Sequence, residues 1–170
     1  MPNVYLTGMM GSGKTVAGEH LSLLLHFGFI DLDGLISEKT KRTVSELFEK
    51  EGEAFFRAQE TQALKEVSVM NSKVVATGGG TVLNPVNIQR MKGTGKVVYL
   101  ETSLDELWER VKEKKDRPLL KSDSPKEALR KIYELRQPIY ERICDVKVNT
   151  DRKSIESIAR QIVKALEQSS

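Results

Sequence analysis

Gly8-Met9-Met10-Gly11-Ser12-Gly13-Lys14-Thr15 follows the order G-x-x-x-x-G-K-[ST], with a short apolar run before it and a helical pattern after it. Such a stretch suits polyphosphate. Its glycines let the backbone curl so that successive N–H groups turn inward, and the following helix adds the positive end of its dipole. Lys14 adds a full charge and Thr15 a hydroxyl for Mg²⁺. Gly11, Ser12, Gly13, Lys14, Thr15 and Val16 are therefore the residues expected at a nucleotide. Whether the γ-phosphate then passes to water or to an acceptor is not written in this loop.

Further along stand Asp31-Leu32-Asp33, at the end of a second apolar run. Strand alternation would send both carboxylates to one side, one serving a metal and the other binding or deprotonating an acceptor hydroxyl. Read alone, the pair fits a polar strand exit or a helix cap equally well. Gly52 to Glu60 reads GEAFFRAQE, and Thr77 precedes Gly78-Gly79-Gly80. Three glycines at a strand end permit close approach of a small ligand, or simply a flexible turn. Arg117-Pro118-Leu119-Leu120 lies in a basic segment, and Leu135-Arg136-Gln137-Pro138-Ile139-Tyr140 lies in a long helical pattern.

Five runs rich in β-branched residues can carry these groups: Val4 to Thr7, Phe29 to Asp31, Lys73 to Ala76, Lys96 to Glu101 and Val146 to Asn149. Continuously apolar stretches such as Val97 to Leu100 suit parallel strands covered on both faces. Helix starts are marked by Thr43 with Glu46, Ser103 with Glu106, and Ser124-Pro125 with Glu127. Ile155, Ile158, Ile162, Val163 and Leu166 place one stripe of a last helix against the body. Asn71 and Gly93-Thr94-Gly95 read as turns between helix and strand, too short for domain linkers. The alternation predicts a single α/β domain over residues 1–170, with ligands at the carboxyl ends of a five-stranded parallel sheet flanked by helices on both faces.

Composition narrows the class. Leu, Ile, Val and Phe make up 47 of 170 residues, enough for a sizeable core. The net charge of +3 and 6% aromatics argue against a nucleic-acid partner. From Glu109 to Lys121, however, six basic residues (Arg110, Lys112, Lys114, Lys115, Arg117, Lys121) face three acidic ones, so an anion could visit that segment or solvent could cover it. Cys144 is alone, which excludes an intrachain disulfide and fits a reducing cytoplasm. No run of about 18 apolar residues exists for a membrane.

Taken together, GMMGSGKT (8–15), DLD (31–33), GEAFFRAQE (52–60), TGGG (77–80), RPLL (117–120) and LRQPIY (135–140) resemble the shikimate kinases in order and approximate spacing. The resemblance covers nearly the whole chain. It implies a P-loop kinase fold with a mobile lid at about 112–124, a shikimate-binding region at about 31–60, and ATP- and Mg²⁺-dependent phosphorylation of the 3-hydroxyl of shikimate on the way to chorismate. Asp33, Lys14 and Arg117 would be catalytic, with Arg117 on the lid over the ATP phosphates. Asp33, Arg57, Gly78, Gly79, Gly80 and Arg136 would hold shikimate, the two arginines gripping its carboxylate. Arg110 and Arg152 would lie near adenine, Thr15 would bind the metal and Asp31 would reach it through water. No ordinary Walker-B aspartate follows the third strand, an absence the family shares. The same resemblance implies a monomer. Two other readings remain: a P-loop kinase for another polyol or sugar acid such as gluconate, and a non-catalytic nucleotide-binding regulator.

Overall fold

A computed structural model describes residues 1–114 and 116–168; Lys115, counted above in the basic segment, lies outside the described residues. Five strands form one sheet: β1 (Asn3–Thr7), β2 (Gly28–Asp31), β3 (Lys73–Ala76), β4 (Gly95–Glu101) and β5 (Val146–Asn149). They run parallel in the order β2-β3-β1-β4-β5. The most apolar strands lie inside and β1 is central, because a parallel strand covered on both faces needs apolar side chains in both directions. Among the described residues eight helices lie between and after them: α1 (Lys14–Leu25), α2 (Leu32–Thr40), α3 (Val44–Glu51), α4 (Glu53–Ser68), α5 (Pro85–Thr94), α6 (Leu104–Val111), α7 (Pro125–Ile143) and α8 (Ile155–Gln168).

The side chains of each inner strand divide between two layers. Val4 and Leu6 of β1, Val74 of β3, and Val98 and Leu100 of β4 pack against Ala17 and Leu21 of α1 and Ile158 and Ile162 of α8. Tyr5, Val75, Val97 and Tyr99 face the opposite way, into a larger core with Leu64 and Val67 of α4, Met91 of α5, and Leu129 and Tyr140 of α7. The stripe expected on the last helix therefore closes the smaller layer. Its partner is α1, the helix that begins at the phosphate loop.

Local signals set several ends. Thr43 and Glu46 form a reciprocal capping box, the Thr43 hydroxyl accepting from the Glu46 N–H and the Glu46 carboxylate accepting from the Thr43 N–H. Ser103 accepts from the Glu106 N–H. Ser124 makes no such bond; α7 starts on Pro125, whose missing N–H leaves one fewer donor to satisfy. Gly93-Thr94-Gly95 is not a turn: α5 runs through Thr94 and β4 begins at Gly95. A side chain at Gly95 would strike the Asn3 carbonyl oxygen of the neighbouring strand at 2.2 Å, so this junction is close packed.

A correction concerns the two carboxylates. β2 ends at Asp31, and Leu32 already opens α2, so strand alternation does not bring Asp31 and Asp33 together. Asp31 is the cap of α2, its carboxylate accepting from the N–H groups of Asp33 and Gly34 at 3.0 and 3.2 Å. Asp33 lies in the first helical turn. The structure shows the helix-cap geometry at Asp31, and both Asp31 and Asp33 line the cavities at this end of the sheet.

Candidate active site

The phosphate loop connects β1 to α1 at the carboxyl edge of the sheet. Gly8, Gly11 and Gly13 all have positive φ, which a side chain would strain, and the Ser12 N–H closes the loop onto the Met9 carbonyl at 3.1 Å. Lys14 reaches back and donates to the Gly8 and Met9 carbonyls, each at 2.9 Å. Burial lowers its ammonium to about 8, against the opposing pull of Asp33. Ser12 Oγ is buried beside these groups without a hydrogen-bond partner among the described residues. The Thr15 hydroxyl donates to Asp31 Oδ2 at 2.6 Å, so the cap of α2 is tied to the phosphate loop.

Two cavities open on this edge and share a wall made of Met10, Thr15, Asp31, Asp33, Gly78, Gly79 and Arg117. One, of about 440 Å³, is lined also by Gly11, Gly13, Lys14, Val16, Arg110 and Lys114. Arg110 is fixed there by donating to the Gly11 carbonyl at 3.2 Å and to Glu106 at 2.9 Å. Arg152 stands apart: it is exposed in a left-handed turn after β5 and lines neither cavity.

The other cavity, about 470 Å³, has an apolar side from Val44, Phe48, Phe56, Pro118 and Leu119 and a polar side from Asp33, Arg57, Arg117 and Arg136. Arg57, on α4, lies over the rings of Phe48 and Phe56 with its guanidinium carbon 6.0 and 5.4 Å from their centroids. Arg136, on α7, is 4% exposed. Among the described residues, Asp33 Oδ1, Ser45 Oγ, Arg117 Nε and Arg136 Nε are buried without hydrogen-bond partners, and all four residues line this cavity. Buried polar groups are ordinarily paired. An unpaired carboxylate oxygen, a hydroxyl and two guanidinium donors around one space complement a small molecule that carries an anion and hydroxyls.

The glycine run lies where these side chains leave no room. A Cβ on Gly80 would come within 2.4 Å of the Arg57 guanidinium, and one on Gly78 within 2.2 Å of Glu60 Oε1 and 3.2 Å of Asp33 Oδ1. At Gly78 and Gly80 it is this protein's own Glu60 and Arg57 that come close, and the run is held in a turn by the Thr81 N–H on the Gly78 carbonyl and the Leu83 N–H on the Gly80 carbonyl. Glu60 received no role from its sequence. It is 1% exposed, accepts from Arg57 Nη1 at 3.0 Å and from the Thr81 hydroxyl at 2.6 Å. Burial raises the Asp33 carboxyl to about 6, with the charges of Glu60 and Asp31 adding to the effect. A glutamate three residues after an arginine on a helix was the available signal for the ion pair; its contact with Thr81 depends on the tertiary fold.

A glycine-rich loop feeding a lysine at a helix start, on a parallel sheet in the order β2-β3-β1-β4-β5 and beside an acceptor-sized cavity, defines a P-loop phosphotransferase for small molecules. The family model for shikimate kinase matches residues 10–167. A shikimate kinase of Vibrio cholerae is 42% identical over 166 residues, 98% of this chain and 95% of that protein. A solved structure of shikimate kinase from Acinetobacter baumannii in complex with shikimate has a TM-score of 0.97 at 37% identity, covering 100% of this chain and 95% of that one. The chain belongs to the shikimate kinase family. A gluconokinase from Sinorhizobium meliloti, 17% identical over 98% of this chain and 92% of its own, shares the fold with a TM-score of 0.63.

Proposed function

We propose that this chain transfers the γ-phosphoryl group of ATP to the 3-hydroxyl of shikimate, giving shikimate 3-phosphate and ADP. The observation that carries the acceptor is the set of buried polar atoms without hydrogen-bond partners around one cavity, among the described residues: Arg136 and Arg117 Nε donors against an Asp33 oxygen, with Arg57 beside them. Arg57 and Arg136 take the carboxylate, since guanidinium forks match its planar pair of oxygens. Asp33 takes the hydroxyls, and the Gly78 to Gly80 run lies against the substrate in the same cavity. Membership of the family, with a relative solved bound to shikimate, favours this acceptor over gluconate. Lys14, Asp33 and Arg117 are all present at the site, which disfavours a non-catalytic regulator.

The nucleotide occupies the cavity beside Lys14, with Gly11 to Val16 around its phosphates and Arg110 at its far end. The residues fit Mg²⁺: Thr15 Oγ1 and the Asp31 carboxylate are hard oxygens next to the loop, and this ion takes few protein ligands beside phosphate and water. Thr15 would hold it directly and Asp31 through water, and the ion supplies charge neutralisation on the transferring phosphate. Asp33, its carboxyl raised to about 6, receives the proton of the attacking hydroxyl more readily than an ordinary aspartate. Lys14 and Arg117 neutralise charge on the phosphoryl oxygens. The segment 112–124 acts as the lid that carries Arg117 over the phosphates. The family resemblance favours a cytoplasmic monomer. Among the described residues no helix is long and apolar enough to cross a membrane.

The test is Mg²⁺-dependent ADP release with shikimate, with gluconate and with no acceptor. Turnover with shikimate alone is expected. Turnover with gluconate alone would remove Arg57 and Arg136 from their proposed roles, and nucleotide binding without turnover would favour the regulator.

A further inference from the structure

Tyr140 takes no part in the chemistry above, yet it is fully buried and its hydroxyl donates to the Gly79 carbonyl at 2.5 Å. Its ring stacks on Tyr99 of β4, with centroids 5.1 Å apart and planes 23° from parallel. The sulfur of Met9, in the phosphate loop, lies 4.0 Å from the same hydroxyl. Arg136 sits one turn earlier on α7, and its Nη1 is 3.2 Å from the point where a Cβ on Gly79 would stand. The hydroxyl is therefore bonded to the glycine run at the place where that run meets the phosphate loop, and it also interacts with the Arg136 guanidinium, so it touches both the glycine peptide and the arginine.

A trans peptide points its N–H opposite to its C=O, and this chain contains no cis peptide among the described residues. A Gly79 carbonyl held by Tyr140 consequently turns the Gly80 N–H away from Tyr140. Neither the Gly79 nor the Gly80 N–H donates to a protein acceptor among the described residues. The Thr81 and Leu83 N–H groups hold the Gly78 and Gly80 carbonyls at 3.1 and 3.0 Å, but neither bond engages the Gly79-Gly80 peptide itself, which has no side chain to restrict its rotation. Tyr140 supplies a bond that does, from a ring clamped by stacking.

We propose that Tyr140 is a positioning residue for the acceptor: its hydroxyl sets the plane of the Gly79-Gly80 peptide, and with it the amide presented to the anionic end of the substrate beside Arg57 and Arg136. Burial pushes the phenol up to about 12, so the donor keeps its proton throughout the working range. The inference rests on the shikimate reading of the cavity.

Tyr140→Phe keeps the ring and removes only the hydroxyl. The expected result is a shikimate KM raised about tenfold, the size of one lost buried hydrogen bond, with kcat and the KM for ATP changed less than twofold. The preference for shikimate over its uncharged methyl ester, read as a ratio of kcat/KM, should fall by a similar factor. Tyr99→Phe is the control, because the Tyr99 hydroxyl makes no hydrogen bond among the described residues; its constants should stay within twofold. If Tyr140→Phe does not fold, 2,3,5-trifluorotyrosine at position 140 retains the hydroxyl and the shape while lowering its pKa. The shikimate KM should then rise at a lower pH than in the unsubstituted chain. An unchanged shikimate KM and ester ratio, parallel loss of ATP and shikimate binding, or a pH dependence unmoved by the fluorinated residue would each overturn the proposal. Absence of shikimate-dependent turnover in the unsubstituted chain would instead overturn the substrate reading.

Discussion

Asp33 and Lys14 carry opposite charges, and the same burial disfavours both. It raises Asp33 to about 6 and lowers Lys14 to about 8. Only between those values are the carboxylate and the ammonium both charged in the free enzyme. The kcat/KM for shikimate should thus fall below a pH of about 6 and above about 8, measured by steady-state assay across the range. Asp33→Asn should abolish turnover with ATP affinity retained, by titration calorimetry. The same substitution should stabilise the fold. A carboxyl whose folded pKa is raised binds its proton more tightly when folded, so stability declines as pH rises from about 4 to 6 and stays reduced above. Asn carries no such charge: the variant should melt roughly 2 to 6 °C above the unsubstituted chain at neutral pH, with the gap closing toward pH 4. An equal gap at both pH values would refute the burial argument.

At the scale of elements, the acceptor cavity depends on short pieces. The eight residues of α3 bring Val44, Ser45 and Phe48 to the cavity. A helix so short is marginal by itself and relies on its cap. Thr43→Ala breaks the capping box and should cost about 1 kcal/mol in urea unfolding, with the shikimate KM rising severalfold and kcat nearly constant. The proposed lid carries Arg117, and just beyond it a 3₁₀ turn (Pro118–Leu120) seats Leu120 in the larger core while Lys121 pairs with Glu49 of α3. Arg117→Ala should lower kcat at least tenfold while the nucleotide Kd shifts less than threefold, because its contribution is to charge that develops during transfer. Equal effects on both would mean that the arginine only binds nucleotide.

The whole molecule is organised around β1, which pairs with β3 and β4 and ends in the phosphate loop. Leu6 is fully buried in the layer that α1 and α8 close. Leu6→Ala should destabilise the fold by roughly 2 to 5 kcal/mol in equilibrium unfolding, and ATP affinity should fall with it because the loop continues directly from this strand. A destabilised variant with unchanged nucleotide binding would separate the loop from its strand. The layered fold was largely legible beforehand: β-branched runs gave all five strands to within one residue at either end, since parallel strands buried on both faces must be continuously apolar. The start of α2 was not legible, because Asp31 ends a strand and caps a helix at once and its Asx-type bonds leave no separate turn residue.

The phosphate loop could be read directly because its chemistry is local: glycines, lysine and threonine act within a single turn, and their spacing in the chain is their spacing in space. The resemblance carried by six motifs extended that reading to Asp33, Arg57, Gly79 and Arg136. Only the tertiary structure decided what these groups do to one another. Glu60 meets Thr81 across 21 residues and Tyr140 meets Gly79 across 61, contacts set by how α4 and α7 pack against the sheet rather than by any period in the sequence. The displaced pKa values of Asp33 and Lys14 follow from the same packing, because desolvation is a property of the assembled cavity and has no counterpart in the chain order.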